Sequence, residues 1–196
     1  MRHHLVFIII TAVLLISLPT KVKSQHCVEA RWNQALKEQT EIEHWYNQRA
    51  RRFNLLYEEY QQQILLNKEF SLNELVQFWR PDTTDFHQKM TQQIALSLRY
   101  ATLVEYEREA LNVGIPSVKT IQENWKNFIN HCQDMDLNVN ALSSYQYYVS
   151  NDELLREIEL LSAKLSYMQK QYADEAQALS KARDVANEKY QSEDMN

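Results

Sequence analysis

Glycine is almost missing from this chain: Gly114 is the only one in 196 residues, and proline occurs three times. Sheet proteins need both residues for turns and bulges, so the scarcity excludes β-sandwiches, barrels and glycine-rich phosphate loops together. No Asn-x-Ser/Thr sequon occurs, Asn130-His131-Cys132 being only the rare cysteine form, so little N-glycosylation is expected. Histidines are few, and no serine or cysteine is marked as a nucleophile on a strained turn beside one. What the chain does have is 44% hydrophobic residues, too many for wholesale disorder. The expected fold class is all-α.

An uncharged, mostly apolar run extends from Leu5 to Leu18, preceded by Met1-Arg2-His3-His4 and followed by Pro19 and a polar stretch ending at Ser24. This is the layout of a signal peptide, and the run is shorter than the roughly 20 residues that span a bilayer as a helix. Residues 1–24 are therefore expected to be a signal peptide and 25–196 a single helical bundle domain, about 170 residues being enough for one core. Cleavage removes Arg2, Lys21 and Lys23 and no acid, leaving 18 basic residues against 26 acidic and a net charge of −8. Nucleic acid and anionic membranes reward clustered Lys and Arg, so neither is an expected partner.

From Val28 the apolar residues advance in alternating steps of four and three: Val28, Trp32, Ala35, Ile42, Tyr46, Phe53, Leu56 and Tyr60. Gln39, Arg49, Gln63 and Asn67 are the polar exceptions along this coiled-coil-like seam. Ser71-Leu72-Asn73-Glu74 has capping-box form, which predicts that the first helix ends near Phe70 and a short one runs to Trp79. Asp82 to Asp85 offer N-caps for a second main helix carrying Met90, Ile94, Leu98, Ala101 and Val104 and ending before Gly114-Ile115-Pro116. A third helix from Ser117 buries Ile121, Trp125, Phe128, Ile129 and Cys132. Residues 133–150 read as the least regular part.

Ser150-Asn151-Asp152-Glu153 reads as a second capping box. It opens a last helix in which Leu154, Ile158, Leu161, Leu165, Met168, Tyr172, Leu179, Ala182 and Ala186 form a seam, with Glu175 and Lys189 as exceptions. First and last helices of about 40 residues each, roughly 60 Å long, are natural partners. The expected architecture is an elongated antiparallel helical bundle or coiled coil built on two long helices with shorter ones packed between them.

Signals for chemistry are sparse. Glu41-Ile42-Glu43-His44 contains the Glu-x-x-His step of di-metal bundles, but once only, whereas such a site needs it from two helices. His26-Cys27 and His131-Cys132 lack a finger spacing, and an oxidising compartment favours a disulfide between Cys27 and Cys132 over zinc. In a strict up-down bundle those two cysteines lie at opposite ends, so the bond requires another chain path. Arg49-Ala50-Arg51-Arg52 is similar to the Arg-x-Arg-Arg sites of subtilisin-like convertases, the alternative being a solvated basic face. Tyr145, Tyr147 and Tyr148 form a candidate partner-binding patch. No cofactor or metal is expected.

The expected function is accordingly that of a secreted, extracellular, non-enzymatic helical protein that binds another protein, with a homodimer through the coiled-coil seams as a candidate first partner. Alternatives are an amphipathic-helix carrier of lipid or small hydrophobes and a helical signalling ligand. Export predicts that material recovered from the medium begins at Gln25 on N-terminal sequencing; a product retaining Leu5–Leu18 in membranes overturns it.

Overall fold

The computed structural model describes residues 29–193; the predicted signal peptide and Cys27 lie outside them. Of the described residues 90% are helical and none is in a strand. The helices are α1 (Glu29–Gln62), α2 (Leu66–Glu69), α3 (Leu72–Gln77), α4 (Thr84–Asn112), α5 (Ile115–Asp134) and α6 (Asn138–Glu193). Alanine and the straight-chain Glu, Gln, Arg, Lys and Leu together fill most positions of α1 and α6, residues that lose little or no rotamer freedom in a helix. The Ser71 capping box forms as the sequence implies, with Ser71 and Glu74 bonding reciprocally across the first turn of α3.

Gly114 does not reverse the chain. It keeps right-handed helical dihedrals, φ −79° and ψ −19°, and α5 begins immediately beyond it with Pro116 in its first turn. Opposite α1, the partner residues advance steadily through this break: Arg52 reaches Glu107, Trp45 covers Gly114, Gln39 meets Trp125, and Trp32 meets Phe128. α4 and α5 therefore run on in one direction, and α1 lies antiparallel to both. α6 returns along the same pair, with Asn112 bonded to Ser162 and Gln93 to Glu175.

Two boundaries differ from the expected ones. α1 stops at Gln62 rather than near Phe70, because the fully buried Glu175 carboxylate accepts the backbone N–H groups of Leu66 and Asn67 at 2.9 and 2.8 Å and starts α2 afresh. α6 begins at Asn138, and the capping box expected at Ser150 lies inside it. Asn151 is fully buried and donates to the Tyr147 carbonyl and to Gln39, so its side chain is committed away from the backbone N–H groups ahead of it. The turn into α6 is a Schellman turn: Leu137 N–H reaches Cys132 O, Asp136 N–H reaches Gln133 O, and Asp136 takes φ 59° where glycine is usual.

One large core, gathering Ala35 to Leu56, Val104 to Phe128 and Ile158 to Tyr172, is followed along α6 by a second around Leu75, Val76, Trp79, Met90, Ile94 and Leu179. The seam foreseen on α6 is buried from Ile158 to Ala186, with Leu154 half-buried at its start and Lys189 exposed at its end. Within α4, Leu98 is exposed and Ser97 and Glu107 are buried instead. The long helices are not each other's main partners: α6 approaches α4 and α5 closely, while α1 stands further off on aromatic rings.

A Cβ on Gly114 would collide with the six-membered ring of Trp45. Gly114→Ala is expected to lower unfolding free energy by about 1–3 kcal/mol, as overpacking does, with a concurrent Trp45→Leu recovering part of the loss. Chemical denaturation of the single and double variants measures both, and equal loss with and without the tryptophan removes the close-approach explanation.

Candidate functional site

Three buried polar nodes fix the register of the helices. Gln39 Oε1 accepts from Trp125 Nε1 at 2.9 Å and from Asn151 Nδ2 at 2.7 Å, while its own amide donates to Glu43. The Glu107 carboxylate, nearly all buried, accepts from Arg49 Nη1 at 3.0 Å and Arg52 Nε at 2.6 Å. Glu175 forms the third node with Leu66, Asn67 and Gln93. Gln39, Arg49 and Glu175 are three of the polar interruptions in the sequence seams. Each meets its partner from another helix at the level where an apolar side chain was missing.

With register set, α6 presents a second line of side chains on its outer face. Leu142, Tyr145, Val149, Leu160, Ala163 and Tyr167 repeat at helical spacing and are all exposed, Leu160 at 55% and Tyr167 at 58%. This stripe runs for about 38 Å at 1.5 Å per residue. Toward its C-terminal end it meets α1 across a groove of about 650 Å³ lined by Phe53, Tyr57 and Tyr60 on one side and by Leu160, Tyr167 and Met168 on the other. Tyr57 stacks between Phe53 and Tyr60, and Tyr60 meets Tyr167 edge-on at 6.5 Å. Burial, then its hydrogen bond to Tyr167, pushes the Tyr60 phenol above the ordinary range; burial does the same more strongly to Tyr172, which Tyr60 also touches. The groove is thus neutral and aromatic, with a single charge at its edge, Lys164, whose ammonium sits 5.9 Å above the Phe53 ring.

The residues singled out in the sequence are distributed as follows. Tyr145 stands on the exposed stripe, but Tyr147 stacks on Trp125 at 4.4 Å and Tyr148 packs against the core, so the three do not form one surface patch. Tyr147, two residues after Tyr145 and one before Tyr148, points away from both, since helix positions one and two apart do not share a face. Arg49 and Arg52 are held by Glu107, Arg51 donates to the Asn47 carbonyl, and Phe53, next after the arginines, is buried. His44 is exposed and shares a hydrogen bond with Gln48. No group of three or more His, Cys, Asp or Glu is placed to hold a metal among the described residues. Among them also, no cysteine is free and no helix is long and apolar enough to cross a membrane. Cys132 is fully buried at the end of α5; Cys27 lies outside the described residues.

No family model, curated protein or solved structure matches the chain.

Removing the Glu107 charge leaves two guanidiniums facing a buried neutral group. Glu107→Gln is expected to cost about 1–3 kcal/mol, because Arg49 and Arg52, 22% and 55% exposed, regain water once the buried carboxylate is gone, and to open the middle of α1. Limited proteolysis with an arginine-specific enzyme should then cut the variant after Arg49, Arg51 or Arg52 at least tenfold faster than the parent protein; equal rates mean that the ion pairs do not guard this segment.

Proposed function

We propose that the protein is a secreted, non-enzymatic binding protein, built as an elongated antiparallel helical bundle, whose outer α6 stripe takes up an amphipathic helix of another polypeptide. The observation that carries this reading is the second seam on α6. Its inner line fills the core, and the outer line from Leu142 to Tyr167 has the same three-and-four spacing, with only the aromatic edge of α1 reaching its C-terminal end among the described residues. Only Arg156 and the acidic pair Asp152-Glu153 interrupt it. An exposed apolar line at helical spacing is a recognition feature of helix-in-groove binding, read by anchors at i, i+3, i+4 and i+7.

The aromatic groove beside the stripe supplies the anchor pocket. Tyr57, Leu160 and Tyr167 offer large, semi-rigid apolar area at small conformational cost, the composition found at the centres of protein interfaces. An unfilled seam also pairs with its own kind, so a second copy of the chain is the simplest partner of this type. The expected export route and a disulfide between Cys27 and Cys132 belong to the same reading of an extracellular protein.

Leu160→Glu with Tyr167→Glu places two charges on the stripe without touching the core line. Crosslinking and sedimentation of the full chain in its native fluid should show association through residues 142–167 in the parent protein. The double variant should lose it by more than tenfold and keep its circular dichroism. Association that survives both glutamates, or crosslinks confined to other helices, overturns the assignment of the surface.

A further inference from the structure

The place where α1 stops leaves a notch. Because Glu175 restarts the helix at Leu66, residues 63–65 are out of helical conformation, and Ile64 turns outward, 69% exposed, with its carbonyl held by Gln93 Nε2 at 3.2 Å. The notch is a cleft of about 590 Å³ between the end of α1, α2, the turn after α3 and the first turns of α4. That volume falls within the range of small-molecule sites, about 300–1,000 Å³. Ile64, Leu66, Phe70, Phe78, Phe86 and Met90 form its apolar walls. The three phenylalanines make a continuous run, with ring centroids 5.3 Å apart between Phe70 and Phe78 and 5.5 Å between Phe78 and Phe86. Phe86 remains 46% exposed at the rim.

One charge faces this apolar space. Among the described residues Lys89 is the only ionisable one lining the cleft in an acidic chain; its ammonium lies 5.8 Å from the Phe86 ring centroid and makes no ion pair with any of them. Gln62, Gln63 and Gln93 add amide groups to the lining. An apolar trough with a lone cation and amides fits an apolar chain that ends in an anion. We infer that this cleft binds a single-chain carboxylate amphiphile, its alkyl chain along Phe70, Phe78 and Phe86 and its carboxylate at Lys89. The site is separate from the α6 stripe and draws on different helices.

Titration calorimetry of the full chain with octanoate, decanoate and dodecanoate below their micelle concentrations tests it, with dodecanol and dodecyltrimethylammonium as the neutral and cationic arms. Binding should saturate at one per chain and tighten with chain length, as burial of each methylene requires. Lys89→Gln should weaken dodecanoate by about tenfold, the loss of one charge-assisted contact, and leave dodecanol within twofold. Phe86→Ala, a rim substitution, should weaken both, and Leu160→Glu with Tyr167→Glu should change neither. Unsaturable uptake, preference for the cationic amphiphile, or a Lys89→Gln variant that binds dodecanoate as the parent does overturns the inference.

Discussion

The passage of α4 into α5 without reversal is the constraint on which the rest of the molecule depends. Gly114 and Pro116 break the backbone hydrogen-bond ladder, but Gly114 stays in the right-handed helical region, so the direction is kept. The missing Cβ admits the Trp45 ring against the break, and the indole fills what would otherwise be a gap between α1 and the α4–α5 junction. Everything downstream follows in length. α6 must be long enough to cover both helices, which is why it runs to 56 residues and begins at Asn138. The start of α1 and the end of α5 consequently fall at the same end, as the contact of Trp32 with Phe128 shows. A strict up-down path would have put these two helix ends at opposite ends of the fold.

Aromatic seams are strong but slide easily, since one ring replaces another at similar burial. Polar nodes do not slide. Shifting α1 by one turn against α5 would take Gln39 from Trp125 and Asn151 and strand buried donors, at about 1–3 kcal/mol for each unsatisfied group. The same slip would separate Arg49 and Arg52 from Glu107, leaving a buried carboxylate uncompensated. Such groups add little net stability when paired, but they make the alternatives costly, and that is what an all-helical fold with few loops needs.

Helical periodicity made the all-α class and both inner seams legible, and the Ser71 capping box marked α3 correctly. Long-range side-chain contacts were not legible. The end of α1 is decided by Glu175, more than a hundred residues away in sequence, and a polar residue at a seam position carries no sign of which backbone it will cap. At Ser150 a local pattern misled: the seam continues back through Asn151, Tyr147 and Ser144 in steps of four and three, but two of these are polar, so the capping-box reading displaced it. Burial of both Ser144 and Asn151 shows which signal the fold obeys. Gly-Ile-Pro likewise signals a stop, and it does stop the hydrogen bonds, though not the direction.

The outer stripe of α6 was in the sequence throughout, at Leu142, Tyr145, Val149, Leu160, Ala163 and Tyr167, hidden by the stronger inner line on the same helix. A helix with one apolar line can satisfy it against its own chain. A helix with two lines about a third of a turn or more apart needs neighbours on both sides, and the described residues supply α4 and α5 on one side and, along part of the other, only the aromatic edge of α1. Charges that would blunt the remaining face are concentrated at Asp152, Glu153 and Arg156, leaving Leu160 to Tyr167 without one except Lys164 at the groove's edge. Had this face been selected only for solubility, Glu or Lys at 160 would serve, and at 167 it would cost only the edge contact with Tyr60. Large apolar groups stand there instead, beside a ready-made aromatic pocket, which is the arrangement that an incoming helix exploits.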